Sequence, residues 1–296
     1  PYADLAATEL IVHNAGGWAS MCPMTHPSDT SLAPLKNHGH QCALMSGIAA
    51  AMTALAVYRS TRETGQGDYI DFSEQDYVAG VLEFGVCAFS YSGVLMSRLS
   101  PRGLNPWRFF EAKDGQIFLV CIEQDQWERL VQFMGNPEWA TDERFQTPSA
   151  RRENVELLNT HLETFVRDWN VMDLYHEAQK SRICMAPVMT FAQLDENDHL
   201  ADRRLFTEVQ IDGLGTTRMM QSAAMYNGQR RPIERAAPKL GEHNGMLECL
   251  PPKVVLSSLT QDVVKPLSDI RVLDMTWVWA GPFAGCLLYT SPRPLD

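Results

Sequence analysis

The sequence lacks the motifs by which several large classes of protein are recognised. Neither a G-x-x-x-x-G-K-[ST] phosphate loop nor a G-x-G-x-x-G dinucleotide loop occurs, which argues against a nucleoside triphosphate or a dinucleotide as ligand. The seven cysteines are scattered without a C-x-x-C pair, and the histidines show no metal-ligand spacing. We therefore expect no bound metal.

Basic residues and long apolar runs are also scarce. The net charge of −11 argues against a nucleic acid partner. The longest apolar run, residues 43–58, falls short of the ~20 residues that a membrane span needs, so we expect a core helix and no membrane. No secretory signal pattern is visible, and reduced cysteines in the cytoplasm are the better expectation. At 296 residues, the chain is long enough for two domains.

Residues 38–78 predict a core unit of an α/β domain. Residues 43–58 are nearly all apolar or small, which predicts a helix that is buried on all sides. Gly65 is suited to ending that helix. A short strand is expected at 68–73, and Ser73 then opens a second, capped helix.

The residues that follow predict a smaller domain of mixed helices and strands. Two strands, 107–112 and 116–122, are joined by a Lys-Asp-Gly turn, and a second hairpin is expected at 207–220. A further strand is expected at 183–188. Apolar residues at helical spacing predict an amphipathic helix over 155–169, and their spacing is typical of core packing.

Three stretches of the chain resemble motifs of one enzyme family. Residues 58–76, YRSTRETGQGDYIDFSEQD, are similar to its RERTGxGQxVDVSxxDA stretch. Residues 237–243, APKLGEH, are similar to its closing APxLGEHT motif, and residues 270–282, IRVLDMTWVWAGP, to its opening RVLDLTxVWAGP motif. The chain thus resembles the class III CoA-transferases, the CaiB/BaiF family. The resemblance implies an α/β fold with a Rossmann-like large domain and a smaller α+β domain, normally in an interlocked dimer.

The opening motif follows the closing motif along the chain, and this order indicates a fragment of a tandem protein with two family repeats. We expect residues 1–104 to be the C-terminal part of the first large domain. We expect the small domain at 105–205 and a return to the large domain at 206–250. A linker is expected at 251–268, and the start of the second repeat at 269–288. Residues 289–296 are expected to be a non-native tail, because their two prolines would break the expected helix. The resemblance allows either a homodimer or an interlocked pair of repeats within one chain.

The resemblance implies transfer of CoA from an acyl-CoA to a small carboxylic acid, with an Asp side chain as covalent nucleophile. Counting back from Thr64 by the family's spacing places this Asp at Ala43, or at Cys42 if the spacing slips by one. No Asp or Glu occurs between Asp29 and Glu63. We therefore expect the first repeat to contain no catalytic carboxylate and the second repeat to carry it.

His40 and Gln41 are the remaining polar candidates beside that position. His40 could equally be a hydrogen-bonded structural residue at the start of the helix. Cys42 is a conceivable replacement nucleophile, although a small buried thiol at a helix start is commoner.

The resemblance also implies contacts with CoA. Val278, Trp279 and Ala280 match the family loop that takes the adenine and pantetheine of CoA, and a loop entering a helix N-terminus suits a phosphate-bearing ligand. Arg98, Arg102 and Arg108 form the densest local positive charge and could meet the CoA phosphates. The alternatives are a core aromatic for Trp279 and solvated charge for the arginines.

Two classes of function stay open. The first is a CoA-transferase whose first repeat lacks the nucleophile. The second is a non-catalytic scaffold repeat that completes a partner's pocket. An acyl-CoA racemase or a lyase of the same superfamily is a further alternative, and no motif fixes the acid substrate.

Overall fold

The fold is described from a computed structural model of the chain. It describes residues 6–23, 31–65, 67–82, 84–99, 104–231, 233, 237–249, 267, 270–277 and 280–290. The chain divides into two compact units, one formed by Pro1–Pro101 with Pro252–Asp296 and the other by Arg102–Pro251. Residues 206–250, for which the resemblance implies a return to the large domain, lie within the second unit.

The described residues of the first unit form helices and no strand. Helix α1 is followed by a 3₁₀ turn at Trp18–Met21, and three further described helices, α2 to α4, come before residue 93. The α-helices are α1 Glu9–Ala15, α2 Gln41–Thr64, α3 Glu74–Gly80 and α4 Phe84–Ser92.

Two glycines set the geometry of these helices. Gly65 ends α2 with φ 73°, a left-handed conformation that glycine adopts without strain, as the sequence predicts. Gly16 follows α1, and a Cβ there would lie 2.4 Å from Val78 Cγ1 of α3. The absence of a side chain at Gly16 therefore lets α1 and α3 pack closely around a small core of Val12, Cys42 and Val78.

Helix α2 is exposed along most of its length, so the prediction that it is buried on all sides is wrong. Leu44, Ile48, Met52 and Leu55 line one face and are 60–67% exposed. The first turns of α2 pack against α1 and α3, whereas this apolar face lies against no other described element closely enough to be buried. By length and composition alone, α2 could also cross a membrane, a test that a core helix passes as well.

The capped helix that follows is confirmed, but the strand before it is not. The Ser73 hydroxyl accepts a hydrogen bond from the backbone N–H of Asp76 at 3.2 Å and so caps α3. The helix is short and ends at Gly80. Residues 67–73 form no strand, because a strand needs a hydrogen-bonded neighbour and none of the described residues of this unit forms one.

The second unit contains a three-stranded antiparallel sheet in the order β1-β2-β3. The predicted hairpin is confirmed, with Phe109 opposite Phe118, and β3 pairs with the other edge of β2. The third strand is shorter than predicted. The strands are β1 Trp107–Glu111, β2 Gln116–Val120 and β3 Met185–Pro187.

Helices cover this sheet and enclose the main core. Phe110, Ile117 and Leu119 of the sheet pack with Leu158 and Leu162, and all five side chains are almost fully buried. The predicted amphipathic helix over 155–169 is confirmed and ends at Val166. The α-helices of this unit are α5 Gln124–Phe133, α6 Pro148–Glu153, α7 Val155–Val166, α8 Val171–Lys180, α9 Phe191–Asp195 and α10 Asp198–Asp202, and two 3₁₀ turns lie at Glu138–Thr141 and Glu143–Phe145.

A second hairpin, β4 Phe206–Ile211 with β5 Gly215–Met220, follows these helices as predicted. The motif that resembles the family's closing sequence leads into a 3₁₀ helix, Asn244–Cys249. Residues 247–249 are described by their backbone alone.

The apolar residues at 270–275 predict a strand that leads through a loop into a helix. Residues 270–277 form no strand, again because no described strand pairs with them. The last helix, α11 Ala280–Thr290, begins two residues before Pro282, which lies in the first turn, where its missing N–H is tolerated.

Candidate active site

The N-terminus of α2 is capped by a side chain from another helix. His40, the N-cap residue, makes no side-chain capping bond. Instead, Glu9 of α1 accepts hydrogen bonds from the backbone N–H of Cys42 at Oε1 (2.8 Å) and of Ala43 at Oε2 (3.1 Å). These N–H groups have no partner within the helix, so the carboxylate does what an N-cap Asp or Ser does locally. A carboxylate thus lies at the start of α2, although none is near in sequence.

The predicted position of the nucleophile lies beside this carboxylate. Ala43 is exposed, and its methyl group offers no chemistry. His40 is also exposed, and Gln41 is half-buried. The structure therefore brings His40, Gln41 and Ala43 together with Glu9, which the sequence analysis did not include.

A lysine and a second carboxylate surround the same helix turn. Lys36 Nζ donates to the backbone oxygens of Asn37 (2.7 Å) and Gly39, and its charge acts on Glu9. Ser46 Oγ lies 3.1 Å from Glu74 Oε1 and 2.5 Å from the backbone oxygen of Cys42, so it can donate to either.

These contacts keep Glu9 ionised. Partial burial on its own raises the pKa of Glu9, but the N–H donors of Cys42 and Ala43, the Cys42 thiol and the charge of Lys36 lower it, and the net pKa is below its ordinary value. A carboxylate with a lowered pKa carries its charge throughout the neutral range.

Cys42 shows the opposite behaviour. Its burial, followed by its contact with the Glu9 carboxylate and the charge of Glu74, raises the pKa of the thiol to about 11. The thiol is therefore protonated at neutral pH. Because the thiolate is the nucleophilic form, this environment argues against Cys42 as a replacement nucleophile.

His13 lies one turn after Glu9 on α1 and is fully buried. Its Nε2 accepts a hydrogen bond from the backbone N–H of Asn37 at 3.4 Å, and its ring stacks on Trp18 with centroids 5.4 Å apart. Burial and the charge of Lys36 lower the pKa of His13, against the opposing charge of Glu9. A neutral His13 therefore packs α1 against the loop that precedes α2.

The predicted CoA contacts are described only in part. Val278, Trp279 and Arg102 lie outside the described residues. Ala280 is the exposed first residue of α11. Arg108 forms an ion pair with Glu163 at 3.3 Å and lies over the Phe110 ring, so its charge has a partner within the second unit. Among the described residues, no three His, Cys, Asp or Glu side chains are grouped as metal ligands.

Comparison with known proteins decides the family. Residues 1–244 match the family model of CoA-transferase family III. The chain belongs to this family. It is 25% identical over 258 residues to the succinate–glutarate CoA-transferase of Agrobacterium fabrum, with 83% of this chain and 61% of the relative aligned. It is 26% identical over 210 residues to the succinyl-CoA:mesaconate CoA-transferase of Haloarcula hispanica, with 69% and 52% aligned.

The fold is that of the solved CaiB/BaiF proteins, as the resemblance implies. The crystal structure of a CaiB/BaiF family protein from Brucella suis superimposes with a TM-score of 0.67 at 24% sequence identity, over 84% of this chain and 64% of that one. The chain thus spans between about half and two thirds of the length of these relatives.

Sequence reasoning missed Glu9 because its contact is tertiary. Glu9 precedes Cys42 by 33 residues, and no local spacing rule connects two residues so far apart. The one local signal is Thr8, whose hydroxyl caps α1 and thereby fixes where Glu9 falls in the first turn.

Proposed function

We propose that this chain is part of an enzyme that moves CoA from an acyl-CoA to a free carboxylic acid. The family match over residues 1–244 carries this proposal. In such a reaction a carboxylate attacks the thioester carbonyl, and CoA leaves as a thiolate from a mixed anhydride. CoA enters as part of the substrate, and the reaction requires no metal.

The nucleophilic carboxylate does not come from residue 43. The family's Asp is replaced by Ala43, whose methyl group cannot attack a thioester. A second repeat, which residues 270–282 would open, is one source of the missing carboxylate. In that case the two repeats would form the interlocked pair within one chain, and a pair of identical chains is the alternative.

A scaffold is the second candidate function, and Ala43 favours it. A repeat without its nucleophile can still complete the partner repeat's pocket. In this case all covalent chemistry would occur in the other repeat, and changes at the start of α2 would affect the stability of the protein but not its chemical step.

The names of the relatives suggest which acids to test. Succinate, glutarate and mesaconate, which occur in those names, are all small dicarboxylic acids. We propose a small dicarboxylic acid as acceptor and its CoA thioester as donor.

The experiment uses the complete reading frame that contains this chain. The purified protein is incubated with succinyl-CoA and ¹³C-labelled glutarate, mesaconate or acetate, and the formation of labelled acyl-CoA is followed by mass spectrometry. We expect exchange with at least one dicarboxylic acid. The absence of exchange across a broad panel of donors and acceptors would contradict the proposed function.

A further inference from the structure

We propose that Glu9 supplies the nucleophilic carboxylate of this repeat in place of the residue at position 43. This inference rests on the proposed CoA transfer and names the group that carries it out. Its carboxylate lies at the N-terminus of α2 and accepts a hydrogen bond from the backbone N–H of residue 43, although it comes from a different helix.

The position of the carboxylate is the first argument. Glu9 Oε2 is 3.1 Å from the backbone nitrogen of Ala43, and Oε1 is 2.8 Å from that of Cys42. Two donors fix both the place and the orientation of the carboxylate. Orientation of a reacting group lowers the entropic part of a barrier.

Access from solvent is the second argument. Glu9 is only half-buried, and the neighbouring His40, Ala43 and Leu44 are exposed. A carboxylate has about four lone-pair sites, of which the two N–H groups and the Cys42 thiol use three. One lone pair therefore remains with which the carboxylate could attack a thioester, and Ala43 beside it is exposed.

The chemistry balances with acyl-CoA and a free acid alone. A Glu9 oxygen attacks the thioester carbonyl, the C–S bond breaks, and CoA thiolate leaves from an acyl–glutamyl anhydride. The thiolate then attacks the glutamyl carbonyl, the first acid departs with the bridging oxygen, and a glutamyl-CoA thioester remains. The acceptor carboxylate attacks this thioester in the same way, and the thiolate finally takes the acceptor's acyl group and regenerates Glu9.

Glu74 is the competing carboxylate in the described part of this site. Its Oε1 lies 3.1 Å from Ser46 Oγ, deeper along α2 and beside a buried hydroxyl. In the described part of the chain, the side chain that accepts from the backbone N–H groups of Cys42 and Ala43 is Glu9 and not Glu74. Glu74 therefore serves as an internal comparison in the experiment.

The first experiment traps the intermediate on the unaltered protein. The complete protein is incubated with succinyl-CoA, treated with hydroxylamine and digested, and the modified carboxylate is located by tandem mass spectrometry. We expect a hydroxamate at Glu9. A hydroxamate at Glu74 or at a residue of a second repeat would overturn the inference while leaving the proposed function intact.

The second experiment uses matched variants. Glu9→Gln keeps the size of the side chain and is expected to slow exchange by about 1,000-fold or more, as loss of a covalent nucleophile does. Glu63→Gln removes a carboxylate from the other end of α2, where it pairs with Arg59 at 3.0 Å, and is expected to leave exchange unchanged. The double variant Glu9→Gln/Ala43→Asp returns a carboxylate to the family's position and is expected to recover activity.

The outcomes separate the two proposals. If the unaltered protein exchanges no CoA, the proposed function fails. If it does and Glu9→Gln exchanges at the same rate, Glu9 is only a cap and the inference fails. If Glu9→Gln does not fold, the trapping experiment on the unaltered protein decides between these cases.

Discussion

Helix α7 presents one apolar face to a core, whereas α2 carries apolar residues around most of its circumference. In α7, Leu158, Leu162 and Val166 are fully buried against the sheet of the second unit. In α2, residues at the same helical spacing, such as Leu44 and Ile48, are largely exposed. The comparison shows that an apolar sequence specifies a helix, but its burial depends on the elements that pack against it.

Matched truncations in the two helices test this difference and should give the largest effect on stability. Leu162→Ala removes a fully buried side chain, so we expect the free energy of unfolding to fall by about 2–5 kcal/mol. Ile48→Ala removes an exposed one and should change it by only about 0.5 kcal/mol. Urea denaturation of this chain measures both values. Equal losses would show that the apolar face of α2 is buried in solution.

The starts of α2 and α5 differ in the origin of their caps. At α5, Gln126 Oε1 accepts hydrogen bonds from the backbone N–H of Ile122 at 2.7 Å and of Glu123 at 3.3 Å, a cap within one turn. At α2 the cap is Glu9, 33 residues away and charged. The Gln126 contact is local and uncharged, whereas the Glu9 contact joins two helices and titrates.

This difference predicts a pH dependence for the Glu9 contact and none for the Gln126 contact. Glu9→Gln should lower the free energy of unfolding at pH 7 by about 1 kcal/mol, as the loss of an N-cap does. Because the pKa of Glu9 is lowered on folding, its contribution is present above its ordinary value of 4.5 and is lost as the pH falls through its folded value.

The free energies of unfolding of Glu9→Gln, Gln126→Ala and the unaltered protein are measured by denaturation between pH 3 and pH 8. The difference in free energy between the unaltered protein and Glu9→Gln should vanish in acid, whereas the difference for Gln126→Ala should change little. A difference for Glu9→Gln that grows in acid would contradict the described hydrogen bonds.

Local patterns predict the elements whose partners are near in sequence. The hairpin of β1 and β2, the end of α2 at Gly65 and the cap of α3 at Ser73 are all confirmed. Each depends on turn or capping chemistry within a few residues.

The strand predictions that proved wrong concern segments that would need partners distant in sequence. Residues 68–73 and 270–275 alternate or cluster apolar residues as strands do, but neither segment has a described neighbour with which to pair. The lack of a carboxylate at position 43 can be read from the sequence. Glu9 lies beside that position only through a contact between residues distant in sequence, so local patterns do not predict it.

The smallest expected difference is in the rates at which the cysteines of the two units react with iodoacetamide. Burial raises the pKa of Cys42 to about 11 and, with a contribution from Cys184, that of Cys121 to about 12, whereas Cys87 and Cys184 are exposed. We expect iodoacetamide at pH 7.5 to label Cys87 and Cys184 before Cys42 and Cys121, since thiolate and access are both required. Peptide mass spectrometry over time measures the order. Fast labelling of Cys42 would show that the reagent reaches its thiol at the start of α2.

The most direct test of Glu9 as the nucleophile follows oxygen atoms through the reaction. The complete protein is supplied with succinyl-CoA and an acceptor acid whose carboxylates carry ¹⁸O. When the acceptor's anhydride is resolved, its bridging oxygen stays on the enzyme's carboxylate. If Glu9 is the nucleophile, ¹⁸O enters the side chain of Glu9 during turnover and does not enter that of Glu63. CoA exchange with ¹⁸O in a different carboxylate, or in none, would contradict it.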